Sequence, residues 1–305
     1  MTISLISHPD CALHEMGALH PESPARLSAI QDQLLSSGLD LVLHHHDAPL
    51  ASREQLCRVH DSEYIDQIFH NSPAEGYFWL DPDTCMNSHS LSAALRAAGA
   101  VVLGVDLVMS GQSNAAFCNV RPPGHHAEHN KAMGFCIFNN IAVGAAHALH
   151  AYQLERVAIV DFDVHHGNGT EDIFRDVPEV LLCSIFQHPF YPYTGIDTAP
   201  KRIINVPLPA GANGEDFHAV VESQWLPKLE MFKPELILIS AGFDAHVEDD
   251  MAGLSLVEQD FKWVTGEIKK IADKYAKGRI VSALEGGYAL PALGRSVAAH
   301  LDALL

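Results

Sequence analysis

Four segments carry polar residues that can do acid–base or metal chemistry, and each directly follows an apolar run typical of a buried strand. The segments are 121–126 (RPPGHH), 161–167 (DFDVHHG), 241–246 (AGFDAH) and 285–288 (EGGY). Open parallel sheets bind ligands at the carboxyl ends of their strands. The sequence therefore predicts that these distant segments meet in one site at one edge of a sheet.

The segment DFDVHH has the sharpest ligand spacing. Side chains at i, i+2 and i+4 of a strand share a side, which groups Asp161, Asp163 and His165. Asp244 would add an oxygen ligand for one divalent ion, with positions left open for water and substrate. The alternatives are that the aspartates cap helices, or that His165 is an ordinary buried histidine. We favour the metal because acids that end an apolar strand are costly unless they are paired or metallated.

Two adjacent histidines, His125 and His126, follow a Pro-Pro-Gly turn. Beside a metal they suit general base and general acid duty, with pKa values set apart by different partners. The alternative is a solvated loop. Tyr288 follows Glu-Gly-Gly and could donate to a developing oxyanion, or could be an ordinary packed tyrosine. The triplet at 44–46 (HHH) has no acidic partner set, and we expect it at the surface.

Short apolar runs alternate with longer segments of helical spacing, a pattern typical of β-loop-α units. Continuous apolarity indicates strands covered on both faces, so we expect an α/β fold, an open, mainly parallel sheet sandwiched between helix layers. Ser255 with Glu258 three residues later predicts a capping box. The predicted strands are 115–120, 157–163, 180–186, 236–240 and 279–284, and the predicted helices are 24–37, 89–109, 139–152, 216–232, 256–276 and 291–304.

Composition restricts the class of protein further. The 305 residues are 48% apolar, which suffices for one core, and without repeats or linkers we expect a single domain over 1–305. The formal charge of −19 disfavours partners such as nucleic acids or anionic membranes. The start of the chain does not resemble a leader, and no segment approaches the roughly 18 apolar residues that span a bilayer. The six single cysteines indicate reduced, buried thiols, so we expect a cytoplasmic protein.

Taken together, the motifs resemble those of the histone deacetylase family, especially its bacterial class II-like members and acetylpolyamine amidohydrolases, within the arginase/deacetylase fold. The likeness runs through nearly the whole chain and its motifs appear in the family's order. They are 20–27 (HPESPARL), 80–84 (LDPDT), 121–140 (RPPGHHAEHNKAMGFCIFNN), 161–170 (DFDVHHGNGT), 188–195 (HPFYPYTG), 205–209 (NVPLP), 240–246 (SAGFDAH) and 285–288 (EGGY).

The resemblance implies roles for the residues of the four segments. It makes Asp163, His165 and Asp244 ligands of one catalytic zinc ion. It assigns proton transfer to His125 and His126, with the second acting as base and then acid. Asp161 would orient His125, and Asn168 stands behind His126 where class I members carry an aspartate. An amide there should leave His126 less basic than a carboxylate would. Tyr288 would hydrogen-bond the substrate carbonyl.

The resemblance also implies a narrow substrate channel and a structural cation. Phe135 and Tyr191 would flank the channel beside Gly134, with Asp83 at its rim and Met251 on its wall. Arg26 would lie beneath the site. A structural potassium ion is implied around four residues, which are Asp161, Asp163, His165 and Ser184.

These features indicate a deacetylase that hydrolyses an acetylated amine to acetate and free amine. An acetylated lysine-like or small acetylated amine substrate is favoured, because polyamine-selective relatives tend to carry an acidic gatekeeper where Met251 stands here. Glu15 or Glu22 could substitute for that gatekeeper, and the acids at 248–250 could attract a cation or form a solvated face. Two alternatives stay open: a binuclear-manganese ureohydrolase of the same fold, and a non-catalytic zinc-dependent acyl-ligand sensor. The oligomeric state is not indicated by the sequence.

Overall fold

The computed structural model describes residues 2–197 and 200–305. Its centre is an eight-stranded sheet in the order β2-β1-β5-β10-β9-β6-β7-β8, in which every neighbouring pair is parallel. These strands are β1 (Ile3–Ser7), β2 (Leu43–Asp47), β5 (Ala115–Cys118), β6 (Val157–Asp161), β7 (Val180–Gln187), β8 (Ile203–Leu208), β9 (Leu236–Ala241) and β10 (Ile280–Leu284). A separate antiparallel hairpin is formed by β3 (Phe78–Asp81) and β4 (Thr84–Met86).

Helices cover both faces of the sheet. Alternate residues of one strand belong to different apolar clusters: Ile3 and Leu5 pack into one cluster and Ile6 into the other. The expected α/β sandwich is therefore confirmed. The helices are α1 (Ala25–Ser37), α2 (Arg53–Leu56), α3 (Ser62–His70), α4 (Ser90–Met109), α5 (Asn140–Tyr152), α6 (Asn168–Phe174), α7 (Gly214–Val220), α8 (Leu226–Phe232), α9 (Glu258–Tyr275) and α10 (Leu290–Leu304).

The five predicted strands all form, but two helix predictions are wrong in detail. The segment 216–232 is not one helix, because a π-turn at Val221–Trp225 separates α7 from α8. Pro227 has no N–H to continue the α-helical ladder, and the N–H of Leu226 bonds to the carbonyl of Val221 instead.

The predicted capping box at Ser255 is also absent. Ser255 and Leu256 pair with Asn213 and His246 in isolated bridges, so α9 starts later, at Glu258. Its first turn is capped by Asp260, whose Oδ2 accepts the N–H of Val257 at 2.8 Å. Local pairing to neighbouring segments has replaced the helix start that the sequence suggested.

Three surface and burial expectations have different outcomes. By length and composition alone, helix α4 could cross a membrane. This differs from the expectation that no segment is long and apolar enough to do so. Two thirds of its apolar window is buried, because it packs on the sheet and on α5. Five of the six free cysteines are buried as expected, but Cys57 is exposed. The histidines of the 44–46 triplet lie on the edge strand β2, and His44 and His45 are exposed as expected.

Candidate active site

The four polar segments meet at one end of the sheet, as predicted. They follow β5, β10, β9 and β6, which are consecutive in the sheet, so their loops are neighbours. Together with the β3–β4 turn and the loop after β7 they enclose a cavity of about 210 Å³. Its lining residues are Asp83, Pro123, His125, His126, Gly134, Phe135, His165, Phe190, Tyr191, Met251, Gly286 and Tyr288.

Three buried residues, Asp163, His165 and Asp244, bring one potential metal-ligand atom each to within 4.8 Å of one another. Backbone N–H groups bond to both oxygens of Asp163, where His165 donates to Oδ1 at 2.9 Å, and to one oxygen of Asp244. Gly286 donates to Asp163 Oδ2 at 2.8 Å, and Val164 donates to Asp244 Oδ1 at 2.9 Å. The other oxygens lie near His165 Nδ1, at 3.0 Å from Asp163 and 3.2 Å from Asp244. The cluster thus presents two carboxylate oxygens and an imidazole nitrogen to one point.

The electrostatics of this cluster fit a divalent cation. Apart from its 3.2 Å contact with His165 Nδ1, the buried Asp244 Oδ2 has no hydrogen-bond partner among the described residues. Burial, reinforced by the charge of Asp163, raises the pKa of Asp244 to about 6. Burial lowers the pKa of His165, but the two carboxylates outweigh it and raise that pKa to about 10. The cluster therefore stabilises a positive charge, and its mixed oxygen and nitrogen donors suit zinc.

Asp161 lies apart from this cluster, which corrects the grouping expected from strand periodicity. Strand β6 ends at Asp161, so the alternation of side chains does not continue to His165. Asp161 Oδ2 instead contacts His125 Nδ1 at 3.0 Å, and its Oδ1 accepts the N–H of Asp163 at 3.1 Å. Asp161 therefore lies where it can orient His125.

His125 and His126 are adjacent, with ring centroids 4.0 Å apart, but their pKa values shift in opposite directions. Burial lowers the pKa of His125, but the carboxylates of Asp163 and Asp161 outweigh it and raise the pKa well above its usual value. Burial and the charges of His125 and His165 lower the pKa of His126 well below its usual value. The pair therefore consists of one histidine that favours the charged form and one that favours the neutral form.

Asn168, the first residue of α6, is the partner of His126. Its Oδ1 lies 2.8 Å from His126 Nδ1, and its Nδ2 donates to Glu128 Oε1 at 2.7 Å. The amide oxygen can only accept, so His126 carries its proton on Nδ1 and leaves Nε2 able to accept one. Glu128 was not anticipated from the sequence.

Tyr288 is one of the residues that line the cavity. Its ring is 4.9 Å from the guanidinium carbon of Arg26 and 6.1 Å, edge to face, from the ring of Phe135. Burial raises the pKa of Tyr288 well above its usual value, although the charge of Arg26 opposes this. The phenol is therefore a hydrogen-bond donor at neutral pH.

The expected channel residues line the cavity. Gly134 and Phe135 both have positive φ, and a Cβ at Gly134 would lie 2.4 Å from the His126 ring, so only glycine fits that close approach. Asp83 Oδ1 accepts the Gly134 N–H at 3.0 Å. Tyr191 packs edge-on against His126 at 5.3 Å.

Phe190 was missed by the sequence analysis. Its ring stacks on His165 at 5.3 Å with an interplanar angle of 25°. Its position beside Tyr191 in the motif HPFYPYTG was the only available signal, because an aromatic residue in a loop has no spacing that reveals a role.

Arg26 lies beneath the Tyr288 loop, as the resemblance implied. It donates to the carbonyl oxygens of Gly287, at 2.7 Å, and Glu285. Glu22 is fully buried between Arg26 and Arg121, which excludes it as the acidic gatekeeper considered above. Glu15 is exposed.

The acids at 248–250 do not form one solvated face. Glu248 pairs with Arg295, Asp249 is buried and bonded to backbone, and Asp250 is exposed. This part of the earlier expectation is therefore wrong for Asp249.

Ser184 lies on β7 directly beside Asp161 of β6. Its Oγ is buried and has no hydrogen-bond partner among the described residues. A buried, unsatisfied oxygen next to aspartate fits a bound monovalent cation, which would take oxygen ligands from this neighbourhood.

Comparisons with known proteins agree over nearly the whole chain. A family model described as "Histone deacetylase domain" matches residues 20–304. The "Histone deacetylase-like amidohydrolase" of Pseudomonas aeruginosa is 36% identical over 93% of this chain and 77% of its own length. The "Probable deacetylase" of Archaeoglobus fulgidus is 34% identical, over 95% and 82% respectively.

A plant protein and a solved structure are also similar to this chain. "Histone deacetylase 14, chloroplastic" of Arabidopsis thaliana is 36% identical over 99% of this chain and 76% of its own length. The crystal structure titled "HDA15 HD domain" aligns with a TM-score of 0.94 at 32% identity, over all of this chain and 89% of that one. The expected fold is thereby confirmed at the level of the family.

Proposed function

Because the chain belongs to the histone deacetylase family, we propose that its single domain, residues 1–305, is a zinc-dependent deacetylase that hydrolyses an acetylated amine to acetate and free amine. The observation that carries this proposal is the buried cluster of Asp163, His165 and Asp244 next to a histidine pair with separated pKa values. A metal cluster without proton-transfer groups would serve ligand binding alone. Paired acid–base groups beside it are suited to hydrolysis.

Asp163, His165 and Asp244 would hold the zinc ion, which when bound supplies polarisation of the acetyl carbonyl and a lowered pKa of a water molecule. His126 accepts the proton of the attacking water at Nε2, since its low pKa keeps that nitrogen unprotonated. Asn168 fixes the tautomer from the other side of the ring. The same Nε2–H then protonates the amine as the carbon–nitrogen bond breaks.

Two further side chains stabilise the reacting groups in this mechanism. Tyr288 donates its hydroxyl proton in a hydrogen bond to the carbonyl oxygen as negative charge develops there. His125, held charged by Asp161, places a positive charge beside His126. The charge keeps the basicity of His126 low, so that it releases its proton readily to the leaving amine.

The channel determines which substrates reach these groups. Phe135, Phe190 and Tyr191 provide aromatic walls beside Gly134, and Asp83 at the rim accepts hydrogen bonds from the substrate. Met251 lies on the wall where an acidic side chain would favour a diamine. We therefore propose an acetyl-lysine-like or small acetylated amine substrate. A potassium ion held near Asp161, Asp163, His165 and Ser184 would stabilise the strand ends, and the unsatisfied Ser184 Oγ supports it.

The test is release of acetate from an acetyl-lysine peptide, acetylputrescine and acetylcadaverine, measured after chelation and after zinc is added back. We expect turnover to be lost after chelation and restored by zinc. The acetyl-lysine peptide should be turned over faster than either acetylated diamine. Asp244→Asn should abolish the zinc response, whereas Asp250→Asn, a matched change on an exposed carboxylate, should retain it. Silence with every substrate in a folded, zinc-loaded protein would contradict the proposal and favour an acyl-ligand sensor. Two bound metal ions per chain would favour a ureohydrolase.

A further inference from the structure

The loop between β9 and α9 contains a buried carboxylate that has no role in the mechanism above. We propose that Asp249 is a positioning residue that fixes Tyr288 and Met251 of the channel wall relative to each other. This inference rests on the proposed function. Asp249 does not contact the cavity; it acts on two residues that do.

Both carboxylate oxygens of Asp249 accept backbone N–H groups. Oδ2 accepts from Tyr288 at 2.6 Å and from Ala289 at 2.9 Å, and Oδ1 accepts from Met251 at 3.0 Å. The residue is 5% exposed and forms no ion pair with any residue in 2–197 or 200–305. Three N–H donors therefore offset the cost of burying its charge.

The location of these donors explains why the contact matters. Tyr288 follows Gly286 and Gly287, and Gly287 has a φ of +120°, so the backbone before the tyrosine has little side-chain packing of its own. Tyr288 and Ala289 directly precede α10, and both of their backbone N–H groups donate to the Asp249 carboxylate. Asp249 thereby sets the direction in which the Tyr288 ring enters the cavity.

The loop that carries Asp249 is itself braced against α10. Arg295 of α10 donates to Glu248 Oε1 at 2.6 Å and to Glu258 Oε1, at the start of α9, at 2.5 Å. The loop and α10 are thus joined at two points, Asp249 and Arg295. A change at either point should reach Tyr288.

His246, Glu248 and Glu258 have ligand atoms close enough together for a metal ion, but one hydrogen bond and the ion pairs with His246 and Arg295 account for the arrangement. His246 Nδ1 accepts the N–H of Glu248 at 3.0 Å, so Nε2 carries the ring proton and points at Glu258, 3.5 Å away. Arg295 neutralises both glutamates. We therefore assign this cluster to support of the loop.

The experiment is a double-mutant cycle on kcat and KM with the acetyl-lysine peptide, in the zinc-loaded full chain. Asp249→Asn keeps the shape but offers an N–H₂ group to one set of backbone donors. We expect kcat to fall on the order of tenfold to a hundredfold while KM changes by about twofold or less. In a Tyr288→Phe background, Asp249→Asn should lower kcat by less than about twofold more, because the phenol it positions is already gone.

Asp250→Asn, one residue away and exposed, is the matched control and should leave both parameters unchanged. Arg295→Gln loosens the same loop from the surface, so it tests the idea if Asp249→Asn fails to fold. Its loss of kcat should also vanish in the Tyr288→Phe background. If the loss of kcat in Asp249→Asn or in Arg295→Gln multiplied with the loss caused by Tyr288→Phe, the inference would be overturned. Such a result would show an effect that does not depend on the phenol.

Backbone hydrogen exchange separates this inference from the proposed function. Protection of the amides of Tyr288 and Ala289 should fall in Asp249→Asn and stay unchanged in Asp250→Asn, whether or not the substrate is turned over. A wild-type protein without turnover would contradict the proposed function and the catalytic effect assigned to Asp249. Unchanged exchange in Asp249→Asn would contradict the positioning of Tyr288 by Asp249 itself.

Discussion

At the scale of single residues, the site shows how neighbours in the sequence acquire opposite acid–base character. His125 faces the carboxylates of Asp161 and Asp163, whereas His126 faces the uncharged amide of Asn168. Both rings are buried, so burial alone would shift both pKa values in the same direction. The difference is caused by the charge of the partners.

The uncharged Asn168 only weakly opposes the burial and the positive charges that lower the pKa of His126, so its replacement by a carboxylate should shift the pH profile. A simple Asn168→Asp would place a carboxylate 2.7 Å from Glu128, so we combine it with Glu128→Gln, which restores an amide–carboxylate pair. The new carboxylate beside Nδ1 should raise the pKa of His126. Because the base must be neutral to accept a proton, the acid limb of kcat/KM should move to higher pH.

The single variant Glu128→Gln is the matched background for this measurement. The pH dependence of kcat/KM should keep its acid limb in Glu128→Gln and move it upward in the double variant. An acid limb at the same pH in both would exclude His126 as the group that titrates there.

At the scale of elements, the ends of β6, β9 and β10 approach one another so closely that the connecting loops need glycine. A Cβ at Gly286, after β10, would lie 2.0 Å from Asp244 Oδ2 and 2.6 Å from Asp163 Oδ2. The parallel register places these strand ends side by side, and the loops then supply ligands and N–H donors to the same point. The cluster of Asp163, His165 and Asp244 thus forms because these strands are neighbours in the sheet.

Gly286→Ala should therefore weaken zinc binding, on the order of tenfold or more, because the methyl group displaces both carboxylates. Competition with a zinc-binding dye measures this without reference to activity. Gly266→Ala in α9 is the control, since a Cβ there would meet no atom of the described residues within 4 Å. It should leave zinc affinity unchanged and stabilise the fold by about 0.5–1 kcal/mol. Equal zinc affinity in the two variants would contradict the close approach.

At the scale of the whole molecule, several histidines are buried away from the cavity and make stability depend on pH. Burial lowers the pKa of His14 and of His60 to about 4, and that of His300 to about 3. His300 lies between Thr265 Oγ1, at 2.7 Å, and Ser282 Oγ, at 2.9 Å. The folded state therefore keeps these histidines neutral where the unfolded chain would protonate them.

The sign of the effect follows from this difference. Below an unfolded pKa of about 6.5 the unfolded state binds more protons, so the free energy of unfolding decreases as pH falls from 6.5 toward 4. At pH 5 each such histidine costs about 2 kcal/mol relative to neutral pH. Acid destabilisation should therefore begin well above the range where carboxylates titrate.

Urea unfolding at pH 7.5 and pH 5 tests this, with wild type compared to His300→Gln. The variant lacks the titrating ring, so the difference in unfolding free energy between the two pH values should shrink by about 2 kcal/mol. His44→Gln, on the exposed edge strand, should leave that difference as in wild type. The same difference in all three proteins would rule out His300 as a contributor.

The sequence by itself determined the fold class and the convergence of the four polar segments, because continuous apolar strands and helical spacing are local patterns that burial enforces. Asp163, His165 and Asp244 could also be selected from the sequence, since they follow strands that a parallel sheet must align.

Only the tertiary structure decided what local patterns cannot encode. Asp161 contacts His125 and not the metal-ligand cluster because β6 ends there, and Glu22 is enclosed by Arg26 and Arg121. Asp249 holds Tyr288 across 39 positions of chain, because hydrogen bonds depend on distances that folding alone creates.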